Sequence, residues 1–256
     1  MTDAIINLQE WQAWWQTAPG QWLQRWEQEM LDQAVTDAFG YHAVQLGMPM
    51  LDGLRQNRMP HRFVYNDVPH AQAQLLGDFS ALPFEACTID LVVLPHTLEL
   101  GPDAHATLRE VERVLVPEGR LVLTCFNPAS LWGLAQRRAH LYQRLGFGQL
   151  YLPRAGEFLA WRRLRDWLHL LNFEIESVRF GGYRMALSQP AWFERMAWME
   201  SAGQRWWPIL GAVYGVSAVK RVRGMRLLGP AWKSRPVKAV NPVPVARHMQ
   251  NQQESH

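Results

Sequence analysis

Asp67 and Asp78 are the residues whose surroundings most directly suggest chemistry. Asp67 closes the run His61-Arg62-Phe63-Val64-Tyr65-Asn66, and Asp78 stands in Gly77-Asp78-Phe79-Ser80-Ala81-Leu82-Pro83-Phe84. A carboxylate that ends a strand can accept hydrogen bonds from both hydroxyls of a ribose. A second one can accept from the exocyclic amine of a purine while an apolar neighbour, here Phe79, lies against the ring. Read alone, Asp67 is equally a turn residue. Gly47 ends an earlier apolar run, and a glycine there permits positive φ and close approach of a ligand to the backbone. His96 follows the run Ile89-Asp90-Leu91-Val92-Val93-Leu94. It can accept a proton from a hydroxyl or amine, or simply form a pocket wall.

These residues need strands to carry them. His42 to Leu46 and His61 to Tyr65 have strand length and are closed by Gly47 and by Asn66-Asp67. Ile89 to Leu94 is almost wholly apolar, as a strand buried on both faces should be. Residues 103 to 115 place Leu108, Val111, Val114 and Leu115 on one helical face, with Pro117 and Gly119 as stop signals. Arg120 to Thr124 is the next strand. Strand, helix and strand with short joints make a βαβ unit, and repeated units imply a doubly wound α/β sheet. In such sheets ligands sit beyond the carboxyl ends of the strands, where Gly47, Asp67, Asp78 and Leu94 to Leu98 all fall.

Residues 8 to 39 carry apolar positions at helical spacing, so an N-terminal helical segment is expected over 1–40. Residues 159 to 171 and 190 to 207 read as helices, 173 to 180 and 212 to 222 as strands, and 126 to 158 as irregular. From Pro236 to His256 the composition predicts a disordered tail.

A 48% hydrophobic and 19% charged composition excludes a disordered chain, and a formal charge of +3 is too small to mark the whole chain as a nucleic-acid binder. Two cysteines, Cys87 and Cys125, cannot build a disulfide framework or a four-ligand zinc site; no metal site is expected. Without a signal-peptide pattern or a long uninterrupted apolar run, a cytoplasmic location is expected. The basic residues between Lys220 and Lys238 read first as a solvated edge. Met225, Leu227, Leu228 and Trp232 among them also suit a peripheral contact with an anionic membrane. Of thirteen tryptophans, ten crowd the two ends of the chain (Trp11, Trp14, Trp15, Trp22 and Trp26, then Trp192, Trp198, Trp206, Trp207 and Trp232) and either pack outer helices onto the core or cover a pocket for an apolar substrate.

The segment Gly77 to Phe84, then Ile89-Asp90-Leu91-Val92, His96-Thr97-Leu98-Glu99 and Leu108-x-Glu110-x-x-Arg113-Val114-Leu115-x-Pro117-x-Gly119-Arg120-Leu121, resembles the middle of class I S-adenosylmethionine (SAM)-dependent methyltransferases. The subgroup it looks most like comprises the small-molecule and ubiquinone-biosynthesis methyltransferases. The resemblance implies a Rossmann-like seven-stranded sheet with the last strand antiparallel over 41–235, and a helical insertion at 181–211 before that strand. It implies SAM as cofactor, with Asp67 at the ribose, Asp78 and Phe79 at the adenine, and Leu94 and His96 beside the sulfonium. The family's first strand ends in an acidic residue and a glycine-rich loop. Here Gln45-Leu46-Gly47-Met48-Pro49-Met50-Leu51 stands instead. Gln45 can hydrogen-bond the amino-acid part of the cofactor without supplying charge, while Met48, Pro49 and Met50 do not readily supply the turn that glycine allows.

Three functions follow for testing: a methyltransferase on a small molecule, a methyltransferase-like binding or regulatory protein, and a nucleic-acid methyltransferase resting on the basic run. Co-purification of SAM would favour the first. Salt-dependent filter binding would be required by the third.

Overall fold

A computed structural model of the protein describes residues 10–144, 152–153, 158–185 and 189–221. A first helix, α1, covers residues 10–15, and α2 spans Ala18–Thr36. Thr17 caps α2, its hydroxyl accepting from the Gly20 N–H at 3.3 Å, with Pro19 in the first turn where a missing N–H costs nothing. Strands β1 (His42–Leu46), β2 (His61–Asn66), β3 (Leu75–Leu76) and β4 (Ile89–Pro95) follow. Next come the short α3 (Thr97–Leu100), α4 (Ala104–Val114), β5 (Leu115–Phe126), α5 (Leu131–Arg144), α6 (Trp161–Leu170) and β6 (Phe173–Gly181). Helices α7 (Pro190–Arg195) and α8 (Trp198–Trp206) and a 3-10 turn at Pro208–Leu210 lead into β7 (Val213–Lys220).

The seven strands form one sheet in the order β3-β2-β1-β4-β5-β7-β6. The pairs among β1 to β5 are parallel, and β7 runs antiparallel to both β5 and β6. This is the seven-stranded Rossmann-like architecture expected from the resemblance. Alternation along the strands divides the core. Val44, Leu46, Val92, Leu94, Leu121, Leu123 and Cys125 face α4 and α6, where Leu108, Val111, Val114, Leu164 and Leu168 meet them. Ala43, Leu91, Val93 and Val122 face Met30, Leu31 and Val35 of α2.

Three local departures follow. The helix ending at Val114 passes directly into β5, and Leu115 already pairs with Ile89 before Leu91 pairs with Arg120. Pro117 and Gly119 therefore lie in an irregularity inside the strand, where Glu118 takes φ +64°, rather than in a loop. The stretch after Phe126, expected to be irregular, contains α5: the Ser130 side chain caps its start by accepting from the Gly133 N–H at 3.0 Å. The helix expected over 190–207 is two helices. The proposed tail at 236–256, and the basic run beyond Arg221, lie outside the described residues.

Candidate functional site

At the carboxyl tips of the parallel strands the chain makes its sharpest turns. Gly47 leaves β1 with φ +75°, its N–H bonded to the Tyr65 carbonyl at 2.9 Å. A Cβ there would sit 3.1 Å from the Thr97 hydroxyl and 3.6 Å from the Phe79 ring. Gly47→Ala is expected to cost about 1–3 kcal/mol through the left-handed backbone conformation alone. An unchanged urea midpoint would refute that. Met48 follows with φ +43°, so a methionine makes the second left-handed turn for which glycine was expected. Packing explains how: its side chain is buried in an aromatic cluster, which offsets the backbone strain.

Gln45 organises this loop from below. It is fully buried; Nε2 donates toward the carbonyls of Gly47 and Met48 at 3.1 Å each and Leu51 at 2.7 Å. Oε1 accepts from the Gly53 N–H at 2.8 Å. An amide can match such a mixed set because it offers donors and an acceptor together. With both ends engaged, Gln45 holds the loop, and a role as direct ligand would require giving these bonds up. The Thr97 hydroxyl fastens the same turn by donating to the Leu46 carbonyl.

Asp67 and Asp78 stand at the neighbouring tips, both exposed. Surrounding atoms nevertheless raise the Asp67 pKa by desolvation, against hydrogen bonds from its own N–H and that of Val68, and the charge of Asp78 adds to the rise. The two carboxylates are thus electrostatic neighbours. Asp78 accepts from the Ser80 N–H at 2.8 Å, which lowers its pKa, and so stays ionised. Phe79 is buried, 6.0 Å from the Tyr65 ring, and borders the space beside Gly47. Asp67, Asp78, Phe79 and Gly47 therefore share one edge of the sheet. Leu94 does not join them through its side chain, which lies in the core facing α4.

His96 occupies a different environment from the one a proton acceptor needs. It takes φ +52° immediately after β4 and is buried. Nε2 lies 2.6 Å from Glu27 Oε1 of α2, and Nδ1 2.9 Å from Glu99 Oε2 of α3. Burial alone would hold its pKa down, but the charge and hydrogen bond of Glu27, with those of Glu99, push it up to about 10. Glu99, whose other oxygen accepts from the Phe126 N–H, is itself pushed up to about 7 by burial. An imidazolium with both N–H groups donated has no lone pair to receive a proton. His96 is in this arrangement the centre of a buried ion cluster, closer to the pocket-wall alternative than to a general base.

The surrounding tip is aromatic. The Phe126 ring stacks on His96 at 4.2 Å and on Trp11 at 5.7 Å, and Trp14, Trp15 and Trp132 complete the cluster with Met48. The N-terminal tryptophans therefore cover the strand tips, whereas Trp198, Trp206 and Trp207 near the other end are exposed. Glu27 and Phe126 carried no signal at the sequence level, because their significance depends on contacts 69 and 27 residues away. Of the basic run, Lys220 is tied to Glu112 at 3.0 Å and Arg221 to Glu174 at 2.6 Å, so neither is a free cation. No described helix is long and apolar enough to cross a membrane.

Comparison with known proteins agrees with the fold. Residues 35–123 match a family model described as a methyltransferase domain. An uncharacterized Escherichia coli K12 protein, YafS, is 30% identical over 148 residues, covering 58% of this chain and 59% of its own length, so the match spans only part of that relative. A SAM-dependent methyltransferase from Thermotoga maritima superposes with a TM-score of 0.55 at 15% identity, covering 84% of this chain and 96% of the other. A chain from the complex of the Haloferax volcanii Trm112 methyltransferase activator with a methyltransferase gives 0.54 at 16% identity, covering 84% and 98%. With the strand order and the antiparallel β7 in agreement, the chain has the fold of class I SAM-dependent methyltransferases, and its residues 35–123 are similar to a methyltransferase domain.

Proposed function

We propose that the protein is a SAM-dependent methyltransferase acting on a small molecule. The observation that carries this reading is the pairing of Asp67 and Asp78 at adjacent strand tips beside the Gly47 turn and Phe79. The residues present fit the cofactor. Gly47 brings the bare backbone up against Thr97 and Phe79, where even one Cβ would be tight, and the aspartates offer acceptors for ribose hydroxyls and an adenine amine. When bound, SAM supplies a methyl group already activated by its sulfonium. The chain then has to hold donor and acceptor in line and exclude water, which suits an aromatic tip. In this reading Asp67 orients the ribose, Asp78 and Phe79 the adenine, and Gly47 lets the backbone approach.

The test is calorimetry with SAM, together with mass spectrometry of any ligand that co-purifies. Asp67→Ala and Asp78→Ala should each weaken SAM about tenfold to a hundredfold, the value of a hydrogen bond to a charged group, while leaving the fold intact. Unchanged affinity in both variants would overturn the assignment.

A second reading, a methyltransferase-like binding protein without turnover, is favoured by one observation. Met48 and the N-terminal tryptophans are packed together over the strand tips, where an acceptor would need access. Stable SAM binding without transfer to any acceptor in a cell extract would select it.

A further inference from the structure

Three polar atoms in the aromatic tip have no partner among the described residues: Glu27 Oε2, Trp11 Nε1 and Trp15 Nε1. Their residues are all buried, with exposures of 0%, 1% and 3%. Leaving one such atom unmatched costs stability, and such groups in folded proteins are nearly always paired. Three in one neighbourhood call for an explanation. They also form a chemically coherent set, one anionic acceptor and two neutral donors.

Neighbouring contacts place them at one tip of the sheet. Glu27 Oε1 is bound to His96, the first residue after β4, and His96 stacks on Phe126, the last residue of β5. Trp11 stacks on Phe126 in turn, and Trp15 lies 6.4 Å from Trp11 and 5.3 Å from Trp14. The ion cluster has two carboxylates, Glu27 and Glu99, around one imidazolium. His96 engages only one oxygen of Glu27, so Glu27 Oε2 stays open as an acceptor in a water-poor setting, where a bound cation is favoured.

Meanwhile the loop after β1 cannot provide that charge. Gln45 is neutral, and both ends of its amide are occupied by the loop itself. A ligand whose nucleoside lies at Asp67 and Asp78 would extend its amino-acid end past Gly47 toward the tips of β4 and β5. An α-amino-acid end is a zwitterion: its ammonium needs an acceptor, and its carboxylate needs donors.

Resting on the SAM-binding reading above, we propose that Glu27 on α2 receives the ammonium of the cofactor's amino-acid end, with the indole N–H groups of Trp11 and Trp15 donating to its carboxylate. The acid for this task comes from a helix that precedes the sheet, not from the end of β1. Because all three groups are buried, entry requires α1, which carries both tryptophans, to shift.

The test compares two ligands that share the nucleoside and differ in the amino-acid end: S-adenosylhomocysteine and 5′-methylthioadenosine. Wild-type protein should bind the first at least tenfold more tightly by calorimetry. Glu27→Gln should remove most of that preference while changing methylthioadenosine affinity less than twofold. Trp15→Phe and Trp11→Phe, which keep an aromatic ring but delete the N–H and the second ring of the indole, should weaken S-adenosylhomocysteine about threefold each and leave methylthioadenosine alone. They carry the comparison if Glu27→Gln does not fold. Wild-type protein that binds both ligands equally, or variants that weaken both alike, would overturn this subsite while leaving the methyltransferase reading in place. A wild-type protein that binds neither would overturn both.

Discussion

Replacing His96 by glutamine should destabilise the protein by about 3–5 kcal/mol, the cost of removing one partner from a buried ion cluster. The variant keeps roughly the ring's volume but leaves Glu27 and Glu99 facing each other without a cation between them. Each carboxylate is fully buried, so water cannot take over the role. The pH dependence has a definite sign. The His96 pKa rises from 6.5 unfolded to about 10 folded, so its stabilisation is complete below about pH 6.5 and is lost as pH climbs through 10. Glu99, raised from 4.5 to about 7, acts in the same direction: its contribution fades as pH rises through 7. Wild-type stability should therefore fall between pH 7 and pH 10, and its margin over His96→Gln should narrow over that range. Urea denaturation of both proteins at the two pH values measures this. A glutamine variant as stable as wild type at pH 7, or a margin that widens toward pH 10, would contradict the ion cluster. Lost activity in a His96 variant would accordingly report on the fold before it reported on any proton transfer.

Installing the family's acid at the end of β1, Gln45→Glu, should weaken the protein rather than improve it. The amide nitrogen now points at three carbonyl oxygens within 3.1 Å, and a carboxylate oxygen in that place would face them with no proton to offer. A buried group that loses its partner costs about 1–3 kcal/mol, and more if it is charged, so a loss of roughly 3 kcal/mol at pH 7 is expected. Acidification should recover part of it, because the protonated acid regains one donor. Native-state hydrogen exchange at the Gly53 amide, which bonds to Gln45 Oε1, gives a local readout and should speed up. If the variant instead keeps its stability and binds SAM more tightly, Gln45 is a ligand and the loop tolerates its loss.

These two positions show different relations between sequence and structure. At Gln45 the change from the family's acid is visible in the sequence, but its meaning is not. Only the fold reveals that the amide holds residues 47–53, because its four partners lie two to eight residues away around a turn that no periodicity encodes. At His96 the residue is visible in the sequence, but the choice between proton acceptor and pocket wall is not. A histidine after a strand suggests a reactive group, yet Glu27, 69 residues earlier on a helix, converts it into a fixed cation. Likewise Met48 in a left-handed turn violates a local preference that the surrounding tryptophans override.

What the amino-acid order determined by itself is the central framework: β1 at His42–Leu46, the apolar β4, the amphipathic α4 and the alternating β6 followed by β7. Their burial patterns are written in periods of two and of three to four residues, so local physics reads them directly. The position of Asp67 after β2 came from the same source, whereas Asp78 follows β3, a two-residue strand (Leu75–Leu76) that no period marks. Tertiary structure alone decided what covers the strand tips. The aromatic cluster and the Glu27–His96–Glu99 set are assembled from α1, α2, α3 and β5, and burial there sets which charges survive. Charge state and access depend on neighbours brought together through space, and no short stretch of sequence contains them.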